Sequence, residues 1–165
     1  MPAAYVQLDS WWYQKVGSGG CDLWEPRADA FPSGLDPSGV EHWPLVLHNR
    51  YFSSESRYAA DFDFVEENGV LCPIDPHFFP HIMARAKSWG MVTYEQDFLT
   101  HTLVSVTALS SNLTLATTWL GLMDDAAAAL NVTIQYCSAC GAAGGCTAAA
   151  LLPAFVCVCV GHATC

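Results

Sequence analysis

Four short runs along this chain begin apolar and finish polar, and helical stretches separate the later ones. "YVQLD" at 5–9 reads as a strand of aromatic and β-branched residues that closes on an acid. "PLVLHNRYF" is a second strand, apolar at its start and polar at its end. Between them, "SWWYQKVGSGGCDLWEPR" reads as a loop, and "AFPSGLDPSGVEHW" is turn-rich with room for a single helical turn. "DFDFVEENGVLCP" is either a strand or an irregular excursion. Asp75 can then cap a helix with Pro76 at its first position, since proline's missing N–H costs nothing there. Ile82, Met83, Ala86 and Trp89 recur at helical spacing, and Gly90 supplies the stop. "MVTYEQDFL" is the third strand. Ser110 or Ser111 can cap a second helix with an apolar stripe of Leu113, Ala116, Thr117, Leu120, Met123 and Ala127, ending near Leu130. "VTIQYC" is the fourth strand.

Such alternation implies parallel strands joined by crossover connections. The strand ends are Leu8-Asp9, Leu47-His48-Asn49-Arg50, Tyr94-Glu95-Gln96-Asp97 and Ile134-Gln135-Tyr136-Cys137. In a (β/α) barrel the C-terminal strand ends form the active face, so polar residues collected there point to chemistry. Glu95 and Asp97 are the sharpest case. A carboxylate in a buried strand costs several kcal/mol or shifts its pKa unless something compensates it. Either the pair serves a site or it lies in a surface loop.

Charge narrows the function classes. The 165 residues carry a net charge of −10, with 16 acids against 6 Lys or Arg, and no basic patch for a nucleic-acid partner. With 52% hydrophobic and 13% charged residues the chain is globular in composition. Most of its aromatics fall in the first half, where they suit core packing or the flat faces of sugars. No signal peptide is visible, and the sequons at Asn112 and Asn131 would matter only in a secreted chain, so the compartment stays open.

The tail breaks the pattern. Residues 138–165 are rich in Ala, Gly and Cys and carry no charge beyond His162. Cys137, Cys140 and Cys146, or Cys157, Cys159, His162 and Cys165, stand at metal-ligand spacings, but acids and supporting partners are missing. Residues 139–160 are uncharged and long enough to span a bilayer, though the Gly-Gly pair, Pro153 and bare flanks count against it. The remaining reading is a divergent or mistranslated end of a gene model. No metal or cofactor is expected. Residues 1–137 are expected to form one unit, and 138–165 a low-complexity tail, disordered or a membrane anchor.

Taken together, "YVQLDSWWY", "FPSGL" with "WPLVLHNRYF", "SWGMVTYEQDFL" and "VTIQYC" resemble the second to fifth strands of one barrel. That barrel is the catalytic domain of the α-galactosidase, melibiase and raffinose-synthase group of glycoside hydrolases. The resemblance implies an α/β fold, a partial (β/α)8 TIM barrel holding about strands 2–5. It implies Asp97 as the nucleophile of a retaining glycosidase, with Asp9 and Trp11 or Trp12 among the sugar contacts. His48, Asn49, Arg50, Glu95 and Gln135 stand at strand ends where they can bind sugar hydroxyls. Arg50 could instead pair with Glu95. Two departures matter: Glu95 replaces a lysine two residues before the nucleophile, and no match to the sixth strand, which carries the acid/base carboxylate, follows Cys137. The expected function is therefore a glycoside-hydrolase-like fragment acting on an oligosaccharide or glycoside, inactive as it stands. The rival is a non-catalytic carbohydrate-binding or interaction protein, tail-anchored through 139–160.

Overall fold

The structure, a computed structural model, describes residues 5–35 and 43–137. Its first strand, β1 (Val6–Leu8), is followed by two very short ones, β2 (Lys15–Val16) and β3 (Gly20–Cys21). Then come β4 (Leu45–Asn49), β5 (Phe52–Ser53), a 3-10 turn at Arg57–Ala60, β6 (Phe64–Glu67) and β7 (Val70–Pro73). Helix α1 (Phe78–Ser88) leads into β8 (Met91–Gln96). Two short helices, α2 (Leu99–Ser105) and α3 (Thr107–Ser111), precede the long α4 (Leu113–Leu130), and β9 (Thr133–Tyr136) closes the series.

The four anticipated strands pair side by side in the order β1-β4-β8-β9, all parallel. Parallel neighbours need crossovers, and α1 supplies one between β4 and β8 while α4 supplies the next. Both helices pack on each other and on this sheet, α1 against β8 and α4 against β9. The interface buries Phe79, Ile82, Met83 and Ala86 from α1 with Ala116, Leu120, Met123 and Ala127 from α4. Each large side chain so buried stabilises by about 1.5–3 kcal/mol. Leu8, Leu47 and Tyr94 meet them from the sheet as part of the same cluster. Among the described residues the four parallel strands form an open sheet, not a closed barrel.

A second sheet was not anticipated. Both excursions contribute to it, in the order β2-β3-β5-β7-β6. The loop after β1 thus holds two strands, and "PLVLHNRYF" is not one strand, because the chain turns at Arg50 and Tyr51 and joins the second sheet at Phe52. Residues 64–73 form an antiparallel hairpin whose turn is Asn68-Gly69, both at positive φ (49° and 79°). Gly20 must be glycine for packing reasons. A Cβ there would stand 2.7 Å from the Tyr51 ring and 2.8 Å from the Ser53 nitrogen.

Helix ends also differ from expectation. Helix α1 starts at Phe78, two residues late, with Asp75 accepting the His77 amide (2.8 Å) in the turn before it. Helix α4 is capped by Asn112, which accepts from Leu115 N, because Thr107–Ser111 has already formed its own short helix. Leu113 and Thr117 lie outside the buried stripe, Leu113 being 62% exposed, and Trp119 and Ala126 are inside it. Among the described residues no helix is long and apolar enough to cross a membrane, and no group of three or more His, Cys, Asp or Glu is arranged to hold a metal ion. The anchor and metal readings of 138–165 fall outside the described residues.

Candidate functional site

Parallel pairing sets residues of successive strands in rows. Val46, Thr93 and Thr133 make one row, and His48, Glu95 and Gln135 make the next, on the sheet face away from the α1–α4 interface. Gln7 pairs with Val46 at the edge of the lower row. Beyond the upper row, Asp97 N–H donates to Asn49 O (2.8 Å) and Cys137 N–H to Gln96 O (2.9 Å), extending the ladder. This face is polar along most of its length, unlike the opposite one.

Glu95 is the centre of the face. It is 5% exposed, and its Oε2 accepts from Gln7 Nε2 at 2.6 Å. Its Oε1 accepts from the Cys137 thiol at 3.2 Å and from Gln135 Nε2 at a longer 3.5 Å. Gln7 belongs to β1, two strands away, so its side chain reaches over β4. On a flat sheet those strands would stand about 9.6 Å apart, so the bond fits a surface curved toward this side. Burial pushes the Cys137 thiol up to about 12; Gln135 opposes the rise and Glu95 adds to it.

Asp97 lies at the C-terminal end of β8 with its side chain 13% exposed. Its Oδ1 accepts from Phe98 N–H at 2.7 Å, at the left-handed residue (φ 58°) that opens α2. Its Oδ2 faces His48 Nε2 at 3.3 Å. On the other side of the ring, His48 Nδ1 lies 3.2 Å from the Tyr13 hydroxyl, which accepts from Arg50 N–H at 3.1 Å. Burial holds the Tyr13 phenol far above its ordinary range; Cys21 adds to this and Arg50 opposes it.

The remaining anticipated residues divide. Trp12 is fully buried, and its indole donates to the His48 carbonyl (3.1 Å), as does Trp24 (2.9 Å). Strand β1 stops short of His48, and the two indoles take over the edge carbonyl that a longer strand would have bonded. Trp12 therefore holds the scaffold and has no surface left for a sugar. Asn49 is equally enclosed, donating to the Tyr94 hydroxyl (2.8 Å) and Gln96 Oε1 (3.2 Å) on the core side. Trp11, by contrast, is 49% exposed and stacks on Phe31, with centroids 5.6 Å apart and planes 18° apart. Asp9 is exposed, its carboxylate turned back to the Ser10 amide. Arg50 does not pair with Glu95; its guanidinium lies over the Phe98 ring, 4.1 Å from the centroid. The structure thus brings together His48, Glu95, Gln135 and Asp97, and adds Gln7, Tyr13 and Cys137. Gln7 left a trace in the sequence as the amide inside an apolar strand, whereas Tyr13 left none.

No protein-family model matches the chain, and no curated protein matches it. A solved structure does. It is a provisionally assigned alpha-N-acetylgalactosaminidase from Bacillus halodurans C-125, superposing with a TM-score of 0.51 at 13% identity over 84% of this chain and 40% of that one. What the two share is the fold. The chain spans about two-fifths of that structure's length.

Proposed function

We propose that residues 5–137 are a glycoside-hydrolase-like domain, four strands of a (β/α) barrel, in which Asp97 is the nucleophile toward a galactose-type sugar. The observation that carries this is the position of Asp97. It sits at a C-terminal strand end, hydrogen-bonded on both oxygens, on a fold shared with a glycosidase. Retaining glycosidases use one carboxylate as nucleophile and a second about 5 Å away as acid/base. Glu95 is the nearest acid in sequence, but its three donors commit it to holding the sheet.

A 5-fluoro-galactosyl fluoride, or its 2-acetamido analogue, tests the nucleophile without needing an acid, because fluoride leaves unprotonated. An Asp97 carboxylate oxygen bonds to the anomeric carbon as the carbon–fluorine bond breaks and fluoride departs with its electron pair. The expected result is a gain of one fluorinated sugar in the intact mass, carried on the peptide containing Asp97 and absent from Asp97→Asn. No adduct, or an adduct elsewhere, overturns the reading. The exposed Trp11–Phe31 stack favours a second reading, a non-catalytic sugar-binding surface. That reading expects galactoside binding by calorimetry that Trp11→Ala abolishes and Asp97→Asn leaves intact.

A further inference from the structure

The Trp11-Trp12-Tyr13 segment grips His48 twice, through its backbone carbonyl and through its ring. The carbonyl takes the Trp12 indole and, from farther along, the Trp24 indole. The ring lies almost parallel to Tyr13, with planes 8° apart. Hydrogen-bond direction then follows by elimination. The Tyr13 hydroxyl is buried and accepts from Arg50 N–H, and its own proton needs an acceptor, for which His48 Nδ1 is the group in place. With Nδ1 accepting, a neutral ring carries its own proton on Nε2, aimed at Asp97 Oδ2. Burial raises the Tyr13 phenol and so favours its protonated, donating form.

We propose that Tyr13 and His48 are positioning residues. Tyr13 fixes the His48 tautomer, and His48 Nε2–H fixes the plane of the Asp97 carboxylate for attack on the anomeric carbon. This rests on the nucleophile reading above. Were the ring to flip tautomer, a lone pair on Nε2 would face a carboxylate oxygen, and the pair would separate. A wrong tautomer beside an intact geometry is known to be costly in other catalytic His–Asp pairs. The bond also steadies the carboxylate as it departs in the second half of a retaining reaction.

The test combines two readouts on the full chain. Multiple-bond nitrogen-15 NMR reports the tautomer, the His48 signal among the six histidines being assigned from its loss in His48→Gln. Wild type should show the proton on Nε2, and Tyr13→Phe should shift the population toward Nδ1–H, the Asp97 carboxylate alone then favouring Nε2–H. The second readout is the rate of adduct formation at Asp97 with the glycosyl fluoride. Tyr13→Phe and His48→Asn should slow it about tenfold or more, as orienting partners of a catalytic ligand do elsewhere. His48→Gln should restore most of the rate, because its amide N–H₂ reaches where Nε2–H stands while that of asparagine falls short. Thermal melts of both His48 variants control for folding, and a merely structural His48 would make them alike. An Nδ1–H tautomer in wild type, or equal rates in all variants, overturns the positioning role. A wild type with the Nε2–H tautomer but no adduct overturns the nucleophile reading, and the role with it.

Discussion

Asp22 shows how a single acid can be made an asset in a chain this poor in cations. It is 5% exposed, immediately after β3, and Arg57 grips it with Nε and Nη2 at 3.0 and 2.8 Å from Oδ2, while Arg57 N–H reaches Oδ1 at 3.1 Å. Burial alone would raise this carboxyl, yet the Arg57 hydrogen bonds more than reverse the effect and hold it below its ordinary value. Because the folded-state pKa is depressed, its contribution is present above about pH 4 and is lost as pH falls through the folded value. Asp22→Asn should cost about 2 kcal/mol at pH 7 and flatten the loss of stability as pH falls below about 4, read from urea midpoints. Neither partner stood out in the sequence, because 35 residues separate them and no periodicity connects them. Trp11 and Trp12 teach the same lesson at closer range. They are adjacent and identical in type, yet one is half exposed and the other fully buried. In a loop with no fixed period, nothing local says which indole turns inward. His48, Glu95 and Asp97 were legible because strand alternation put acids and donors at polar ends.

Elements were legible where one periodicity ran uninterrupted. Helices α1 and α4 and the four parallel strands satisfy this condition, and their boundaries shifted where a local turn or an unexpected neighbour intervened. Helix α3 is such a neighbour. Glu67 at the end of β6 accepts from Thr107 N (2.7 Å) and Ala108 N (3.2 Å), satisfying the free amides of its first turn. A cap delivered from 40 residues upstream is invisible to local reading. The β6–β7 hairpin was available in the sequence, because Asn-Gly is the pair that two-residue turns favour. Gly69→Ala should cost about 1–2 kcal/mol, since alanine resists φ near 79°, while Asn68→Gly should be close to neutral. Chemical denaturation of the two variants would compare them. Similar losses in both would mean that the Asn68 side chain, which donates to Ser105 O (2.7 Å), outweighs the turn geometry.

At the scale of the molecule, the parallel sheet has two outer strands, β1 and β9, around a protected centre of β4 and β8. Amide exchange should therefore be slowest in Leu45–Asn49 and Met91–Gln96 and faster in Val6–Leu8 and Thr133–Tyr136. Equal protection across all four would reveal another segment covering an outer edge. Strands β2, β3 and β5 escaped the sequence reading because each is two residues long, too short to display a period. The bond from Gln7 to Glu95 bears on how the chain assembles. It joins residues 88 apart across three strands, and Cys137, 42 residues beyond Glu95, closes on the same carboxylate. Contacts so distant along the chain are slow to form, and this cluster cannot be completed during synthesis until β9 has emerged from the ribosome. Until then Gln7 answers only one oxygen of the Glu95 carboxylate, and among the described strands the latest to be made completes what the earliest begins.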